Sequence, residues 1–129
     1  MGWTMTNEQP VQISFAPAFR KDVKQLRKRY SRIQQDIQPL IDQLIAGETP
    51  GDQVQSTGYT VYKARLPNRD AQRGKSGGYG VIYYIRTPKQ IVLLTVYSKS
   101  DRSDNSADDI HAIITNLPDD SDDNGFSAS

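Results

Sequence analysis

The sequence predicts an α+β domain with an N-terminal strand, a helical hairpin packed on an antiparallel sheet, and a short C-terminal helix. Three observations carry this prediction. Apolar residues alternate briefly near the start of the chain, then recur every three or four residues, and then gather in three runs rich in tyrosine, valine and isoleucine. The 129 residues are enough for one domain with its own core.

The first elements are a short strand and an amphipathic helix. In residues 11–15, Val11, Ile13 and Phe15 alternate with polar residues, which indicates a half-buried strand. In residues 19–30 the apolar positions are separated by four, three and four residues, and most intervening positions are Lys or Arg. This spacing predicts a helix with an apolar face and a basic outer surface.

A second helical pattern occupies residues 33–45, where isoleucine and leucine recur at helical spacing. Proline in a helix interior removes a backbone hydrogen bond and costs about 3 kcal/mol. We therefore expect a break or kink between Arg32 and Pro39, and we expect Gly47 to end this helix.

Three strands are predicted after the helices. Residues 59–66 form the first, with even-numbered positions facing the core and Lys63 and Arg65 together on the opposite face, because strand side chains alternate. Residues 79–86 and 91–99 are apolar on both faces, as central strands are, and their short connection predicts an antiparallel hairpin.

The chain divides into three parts in this interpretation. Residues 1–10 are a flexible N-terminal lead without the charged and apolar regions of a signal peptide, residues 11–117 are the folded domain, and residues 118–129 are a disordered acidic tail. The domain closes with a short helix around residues 110–117.

Charge is distributed very unevenly along the chain. Residues 1–100 carry 15 Lys and Arg against 7 Asp and Glu, whereas residues 101–129 carry one Arg against 8 Asp. A basic body with an acidic tail favours a polyanionic partner such as a nucleic acid. An ordinary solvated surface is the alternative.

Several kinds of chemistry are disfavoured by the residues present. The chain has no cysteine, which removes disulfides and thiolate sites, and its one histidine, His111, is predicted to be a surface or boundary residue. Gly74-Lys75-Ser76 resembles the end of a phosphate-binding P-loop, but Arg69 stands where that loop needs its first glycine. We expect no metal and no cofactor.

What remains is a cationic face on the sheet. Lys63 and Arg65 lie about 6.5 Å apart along one strand, a spacing suited to adjacent phosphates. Lys99, at the end of another strand, is a further cation for this face. Tyrosines 59, 79, 83, 84 and 97 are candidates for stacking on unpaired bases or for proton transfer, and also for ordinary packing in the core.

These residues resemble a known family. A helix pair followed by YKAR, then by RGKSGGY and GVIYY, and then by LLTVYSKSD is similar to the RelE/ParE superfamily of type II toxins, most closely its RelE and HigB branches. The similarity covers about residues 11–114. It implies the RelE-like fold and a metal-free messenger RNA endoribonuclease that inhibits translation, usually at the ribosome.

The resemblance also implies partners and site residues. The partners are a cognate antitoxin, messenger RNA with the ribosome, and operator DNA through the antitoxin complex, all in the cytoplasm. The catalytic candidates are Lys63, Arg65, Lys99 and Arg102, and the RNA-binding candidates are Arg73, Lys75, Tyr79, Gly80 and Tyr84.

One departure from the family pattern falls inside the site. Gly80 stands where the resemblance implies an arginine that contacts phosphate, and glycine in a strand is a poor choice for folding alone. Three interpretations stay open: an active toxin that uses Arg102, Arg73 or Lys75 instead, a naturally weakened toxin, or a toxin from which the arginine was removed deliberately.

Two other functions compete with RNA cleavage. A ParE-like toxin inhibits DNA gyrase and cuts nothing, and a non-catalytic toxin fold acts with its antitoxin as a corepressor at their operator.

Overall fold

The computed structural model describes residues 11–67, 78–98 and 107–117. Its elements, in chain order, are β1 (Gln12–Phe15), α1 (Pro17–Leu26), α2 (Ile33–Ile45), β2 (Asp52–Gln53), β3 (Val61–Leu66), β4 (Tyr79–Thr87), β5 (Gln90–Ser98) and α3 (Ala107–Thr115). The predicted N-terminal lead at 1–10 and acidic tail at 118–129 lie outside the described residues. The α+β prediction is confirmed.

One five-stranded sheet runs through the domain in the order β1-β5-β4-β3-β2. All neighbouring strands are antiparallel except β1 and β5, which pair in parallel. The parallel pair departs from the purely antiparallel expectation. It is possible because two helices and three strands separate β1 from β5, a connection long enough to bring the chain back in the same direction.

Two apolar cores lie on opposite faces of this sheet. The larger core lies between the sheet and the helices α1 and α2, and it includes Phe19, Leu26, Ile37, Leu40, Val81 and Leu93. The smaller core lies on the other face, where α3 contributes Ile110 and Ile114 beside Ile82 and Leu94. Since β4 and β5 are buried on both faces, their apolar runs are continuous, as the sequence predicts.

The break between the two helices comes earlier than predicted. Helix α1 ends at Leu26 and α2 begins at Ile33, so Pro39 lies inside α2. Pro39 and Gln35, whose carbonyl loses its helical partner, are both exposed. Water can therefore solvate the freed carbonyl, and the proline is tolerated on the outer face.

Gly47 ends α2 as predicted. Its φ of +94° is in the region that glycine enters without steric cost. The Gly47 amide donates to the Leu44 carbonyl at 3.0 Å, and the Glu48 amide donates to the Gln43 carbonyl at 3.0 Å. These two bonds form a Schellman cap, which satisfies carbonyls left without partners at the helix end.

Helix α1 is fixed to β5 by the carboxylate of Asp22. The pairing of β4 with β5 shifts between Ile82 and Tyr83, leaving Leu94 as an extra residue in β5. Directly after this bulge, the Thr95 hydroxyl donates to Asp22 Oδ2 at 2.5 Å and the Val96 amide donates to the same oxygen at 3.3 Å. A bulge turns a strand's polar groups out of the regular ladder, and here they meet the helix.

We expect Asp22→Ala to lower the free energy of unfolding by about 1–3 kcal/mol. The reason is that the carboxylate accepts hydrogen bonds from the Thr95 hydroxyl and the Val96 amide, and both residues are buried. Urea denaturation measures this loss. Thr95→Val removes one of the two donors, so the double variant should cost less than the sum of the single variants. Additive losses would show that the two groups act independently.

Candidate functional site

The two predicted cations lie on β3 as expected. Ala64 and Leu66 point into the larger core, whereas Lys63 is half-buried and Arg65 is exposed on the opposite face. The two cations differ in their neighbours. Strand β2 pairs with β3 only at Tyr62 and Lys63, so β3 is the edge of the sheet at Arg65. This edge position leaves the guanidinium of Arg65 open to solvent.

Arg65, Gly80 and Tyr97 form one row across three adjacent strands. Arg65 on β3 pairs with Gly80 on β4, and Gly80 pairs with Tyr97 on β5. Paired residues point to the same face, and adjacent strands are about 4.8 Å apart. The row therefore places a cation and a phenol on either side of a residue that has no side chain.

The ring of Tyr97 occupies the space above Gly80. A Cβ atom built on Gly80 would overlap Tyr97 Cζ and would lie 2.6 Å from its hydroxyl oxygen and 2.8 Å from Cε1. The Tyr97 side chain is 4 % exposed. Glycine is a poor choice for a strand by itself, but here it has a structural reason, since only a residue without a side chain admits the ring of Tyr97.

Two other tyrosines of the predicted site lie elsewhere. Tyr79 is fully buried in the larger core, on the face opposite Arg65, with its ring 5.8 Å from that of Tyr30. Tyr84 is four residues along β4 from Gly80, about 13 Å away, and packs at 5.4 Å against Tyr59. Tyr79 is thus on the wrong face for the cationic pair, whereas Tyr84 shares the face of Lys63, two residues along β4 from Ile82, the residue that pairs with Lys63.

Tyr83 supports β3 from the helix side of the sheet. Its hydroxyl donates to the Pro50 carbonyl at 2.5 Å, and its ring stacks on Tyr62 at 5.6 Å. Burial raises the pKa of Tyr83, and neighbouring Tyr62 adds to the effect. A phenol with a raised pKa stays protonated at neutral pH, so Tyr83 acts as a fixed donor and not as a base.

The loop that receives this bond also packs against Lys63. Gly51 follows Pro50 with a φ of +98°, and a Cβ there would overlap the Lys63 carbonyl oxygen. The close approach of the two backbones requires glycine at this position. Together with Tyr83, this contact fixes the backbone of β3 at the cationic pair.

His111 has the boundary position that its sequence context predicts. It is exposed on α3, with Nδ1 3.1 Å from the Thr57 carbonyl oxygen and its ring 5.5 Å from that of Tyr59. These contacts attach α3 to the loop before β3. The remaining predicted site cations, Arg73, Lys75, Lys99 and Arg102, lie outside the described residues, and their roles stay predictions.

The chain also matches a known protein family. Residues 13–102 match the family model described as the ParE toxin of the type II toxin-antitoxin system, parDE. The chain belongs to this family. The match spans β1 to the residues just after β5, so it includes the whole sheet and the Arg65–Gly80–Tyr97 row.

Family membership confirms the predicted resemblance to the RelE/ParE superfamily and makes the protein the toxin of a type II pair. Such a toxin has a cognate antitoxin as its partner. The comparison with curated proteins finds no matching relative. Within the described part of the toxin, no helix is long and apolar enough to cross a bilayer.

A groove of about 860 Å³ runs between α1 and α2. Its floor is apolar and its rim is basic; the lining includes Phe19, Val23, Ile37 and Ile41 together with Arg20, Lys24, Arg27 and Lys28. The groove lies on the helix side of the sheet, whereas Arg65 lies on the other side. Among the described residues, the basic rim of the groove and the cationic pair on β3 are thus on opposite sides of the sheet.

Sequence reasoning missed the position of Tyr97, although a signal for it exists. The turn at residues 88–89 pairs Thr87 with Gln90, and counting back along both strands from this turn pairs residue 80 with residue 97. The pairing also shifts between Ile85 and Thr87, where Arg86 is an extra residue in β4, and this shift cancels the one at Leu94 before the strands reach Gly80. The hairpin register alone would have placed a tyrosine opposite the glycine.

We expect Gly80→Ala to destabilise the toxin by about 1–3 kcal/mol, because the added methyl group displaces the buried ring of Tyr97. Chemical denaturation of the single variant measures the loss. In a Tyr97→Val background the same substitution should cost much less, since the ring is gone. An equal cost in both backgrounds would mean that Tyr97 does not fill the space above Gly80.

Proposed function

We propose that the toxin is a metal-free endoribonuclease that cuts messenger RNA, with Arg65 as its principal cation and Lys63 beside it. The observation that supports this most is the placement of two cations on one face of β3, one half-buried and one at an open sheet edge. Arginine matches phosphate with two parallel N–H donors, which gives both charge and orientation.

The reaction needs no metal in this scheme. The 2′-hydroxyl of a nucleotide attacks the adjacent phosphorus, a P–O2′ bond forms, and the P–O5′ bond breaks. The hydroxyl loses its proton, the leaving 5′ oxygen gains one, and the products carry a 2′,3′-cyclic phosphate and a 5′-hydroxyl. Negative charge builds up on the phosphorane oxygens, and a preorganised cation stabilises that charge more than it stabilises the substrate.

The partners that follow are messenger RNA and, as the likeness to RelE implies, the ribosome. The net positive charge of the body of the chain favours such polyanions. Operator DNA would be reached through the complex with the antitoxin. The proposed location of the toxin is the cytoplasm, where these partners are found.

Inhibition of DNA gyrase is the second candidate function, and the description of the matched family as ParE favours it. The two activities have different products. A gyrase inhibitor leaves RNA intact and blocks supercoiling, whereas a ribonuclease leaves gyrase active.

The deciding experiment incubates purified toxin in parallel with ribosomes carrying a defined message and with gyrase and relaxed plasmid. We expect RNA fragments ending in 2′,3′-cyclic phosphate and normal supercoiling. A message with a 2′-deoxynucleotide at the cut site should resist cleavage, since it lacks the 2′-hydroxyl that attacks the phosphorus. Blocked supercoiling with an intact message would show that the toxin inhibits gyrase and does not cut RNA.

Arg65→Gln should lower the cleavage rate by about 10²–10³-fold, because it removes the charge that stabilises the phosphorane. Arg65→Lys should restore only part of the rate, since lysine lacks the planar fork. Arg86→Gln is the charge-matched control, because Arg86 is on β4 about 20 Å from Gly80. Equal loss in the control would indicate general electrostatic binding and contradict a specific role for Arg65.

The antitoxin is proposed to dock in the groove between α1 and α2. An apolar floor inside a basic rim fits an apolar segment flanked by acidic residues. Neither Lys63 nor Arg65 lines the groove, so a partner bound there would not contact the cationic pair on β3.

Ile41→Gln should weaken antitoxin binding at least about tenfold, because it places a polar group on the apolar floor. Calorimetric titration of the toxin with its antitoxin measures the affinity. Ile45→Gln is a matched control on the same helix, since Ile45 is 48 % exposed and lies outside the groove lining. If Ile45→Gln weakens binding and Ile41→Gln does not, the antitoxin docks elsewhere.

A further inference from the structure

We propose that the acidic tail, residues 118–129, docks in the groove between α1 and α2 of its own chain and covers that groove in the free toxin. The apolar floor and basic rim of the groove fit the composition of this segment. Such a contact requires neither RNA cleavage nor gyrase inhibition, so it stands apart from the function proposed above.

The rim of the groove is an array of cations of one sign. Arg20, Lys24, Arg27 and Lys28 are exposed along α1, and no acidic residue is among the described residues that line the groove. Like charges three or four residues apart on a helix repel one another, so an acidic segment bound among them relieves that repulsion. The rim therefore attracts a segment of negative charge.

The tail supplies both parts of a matching ligand. Residues 119–123 read DDSDD, which gives four carboxylates and no cation, and Phe126 follows as the one large apolar side chain of the tail. The carboxylates suit the rim, and the aromatic ring suits a floor that includes Phe19, Val23 and Ile41. The tail thus carries the charge and the apolar anchor that the groove accepts.

The tail starts on the other face of the sheet, but the path around the sheet edge is short. Helix α3, which precedes the tail, packs on β5, and β5 is the neighbour of the edge strand β1. On the helix side β1 carries Phe15, whose ring stacks on Phe19 at 5.4 Å in the groove lining.

The length of the tail is sufficient for this path. Passing round β1 crosses two packed layers of about 10 Å each. Residues 118–126 span up to about 30 Å when extended. The aspartates and Phe126 can therefore reach the groove while α3 stays in place.

The groove suits the tail better than the cationic pair on β3 does. Lys63 and Arg65 supply two charges, three strands away from β1 in the sheet. The rim supplies four charges and has apolar side chains beside them. Because exposed ion pairs are weak by themselves, the place for Phe126 decides between the two surfaces.

A covered groove changes what the free toxin presents to other molecules. Less apolar surface meets water, and a partner that uses the groove has to displace the tail first. A segment on a short linker has a local concentration of about millimolar. A tightly binding partner therefore displaces the tail, whereas weak apolar ligands are kept out.

Zero-length carbodiimide crosslinking tests the contact in the full chain, because it joins a carboxylate only to an amine that it touches. We expect residues 119–123 to couple to Lys24 and Lys28 at least about fivefold more often than to Lys21, since docking concentrates the carboxylates at the rim. Lys21 is the matched control, because it is exposed on the same helix but does not line the groove. In 1 M salt, where the screening length is about 3 Å, this preference should weaken.

Three variants separate docking from general attraction. Phe126→Ser keeps every charge and removes the anchor, so coupling to Lys24 and Lys28 should fall at least about threefold. Ile41→Gln places a polar group on the floor and should have the same effect. Ile45→Gln should have none, since Ile45 is outside the groove lining.

Equal coupling of Lys21, Lys24 and Lys28, or coupling mainly to Lys63, would overturn the inference. Coupling unchanged in Phe126→Ser would also overturn it, because the tail would then be attracted to α1 without using the groove. Crosslinks between isotope-labelled and unlabelled chains would show contact between two copies and exclude docking within one chain. None of these results alters the ribonuclease or gyrase proposals.

Discussion

The register of the hairpin formed by β4 and β5 determines which side chains meet in this toxin. Both strands are buried on two faces, so a shift by one residue would send each side chain to the opposite core, where it meets different neighbours. The register is therefore strongly specified. It places Gly80 opposite Tyr97, and through the pairing of β3 with β4 it places Arg65 in the same row.

The bulge in β5 connects this register to the helices. It leaves the Thr95 hydroxyl and the Val96 amide bonded to Asp22 on α1, one residue before Tyr97. On the other side of the row, Tyr83 and the close approach of Gly51 fix the backbone of β3 at Lys63. The two outer strands of the site are thus each anchored by a contact that comes from the helix side of the sheet.

Gly80 has a structural reason once its neighbour on β5 is known. Glycine in a strand weakens it by roughly 0.5–1 kcal/mol, and here an aromatic ring from the adjacent strand covers the exposed backbone. The ring of Tyr97 thus fills the space that a side chain on residue 80 would occupy. An arginine introduced at Gly80, the residue that the resemblance implies there, would have to displace that ring.

Much of the fold and part of the site could be predicted from sequence. The alternation in residues 59–66 correctly placed Lys63 and Arg65 on the face opposite Ala64 and Leu66, because strand geometry has a fixed period of two. The helix break was misplaced because proline on an exposed helix face costs less than its interior value suggests, and exposure is a tertiary property. Tyr79 was named both as an RNA-binding candidate and as a packing residue, and the structure places it in the larger core, since a tyrosine at the start of a buried strand gives no local sign of which face it enters.

The most direct test of the account is a crystal structure of the toxin with an RNA that carries a 2′-deoxynucleotide at the cut site. The account predicts the scissile phosphate beside the exposed Arg65 on β3, with one oxygen about 3 Å from the Arg65 guanidinium. RNA bound along the basic helix α1, with no phosphate at Arg65, would contradict it.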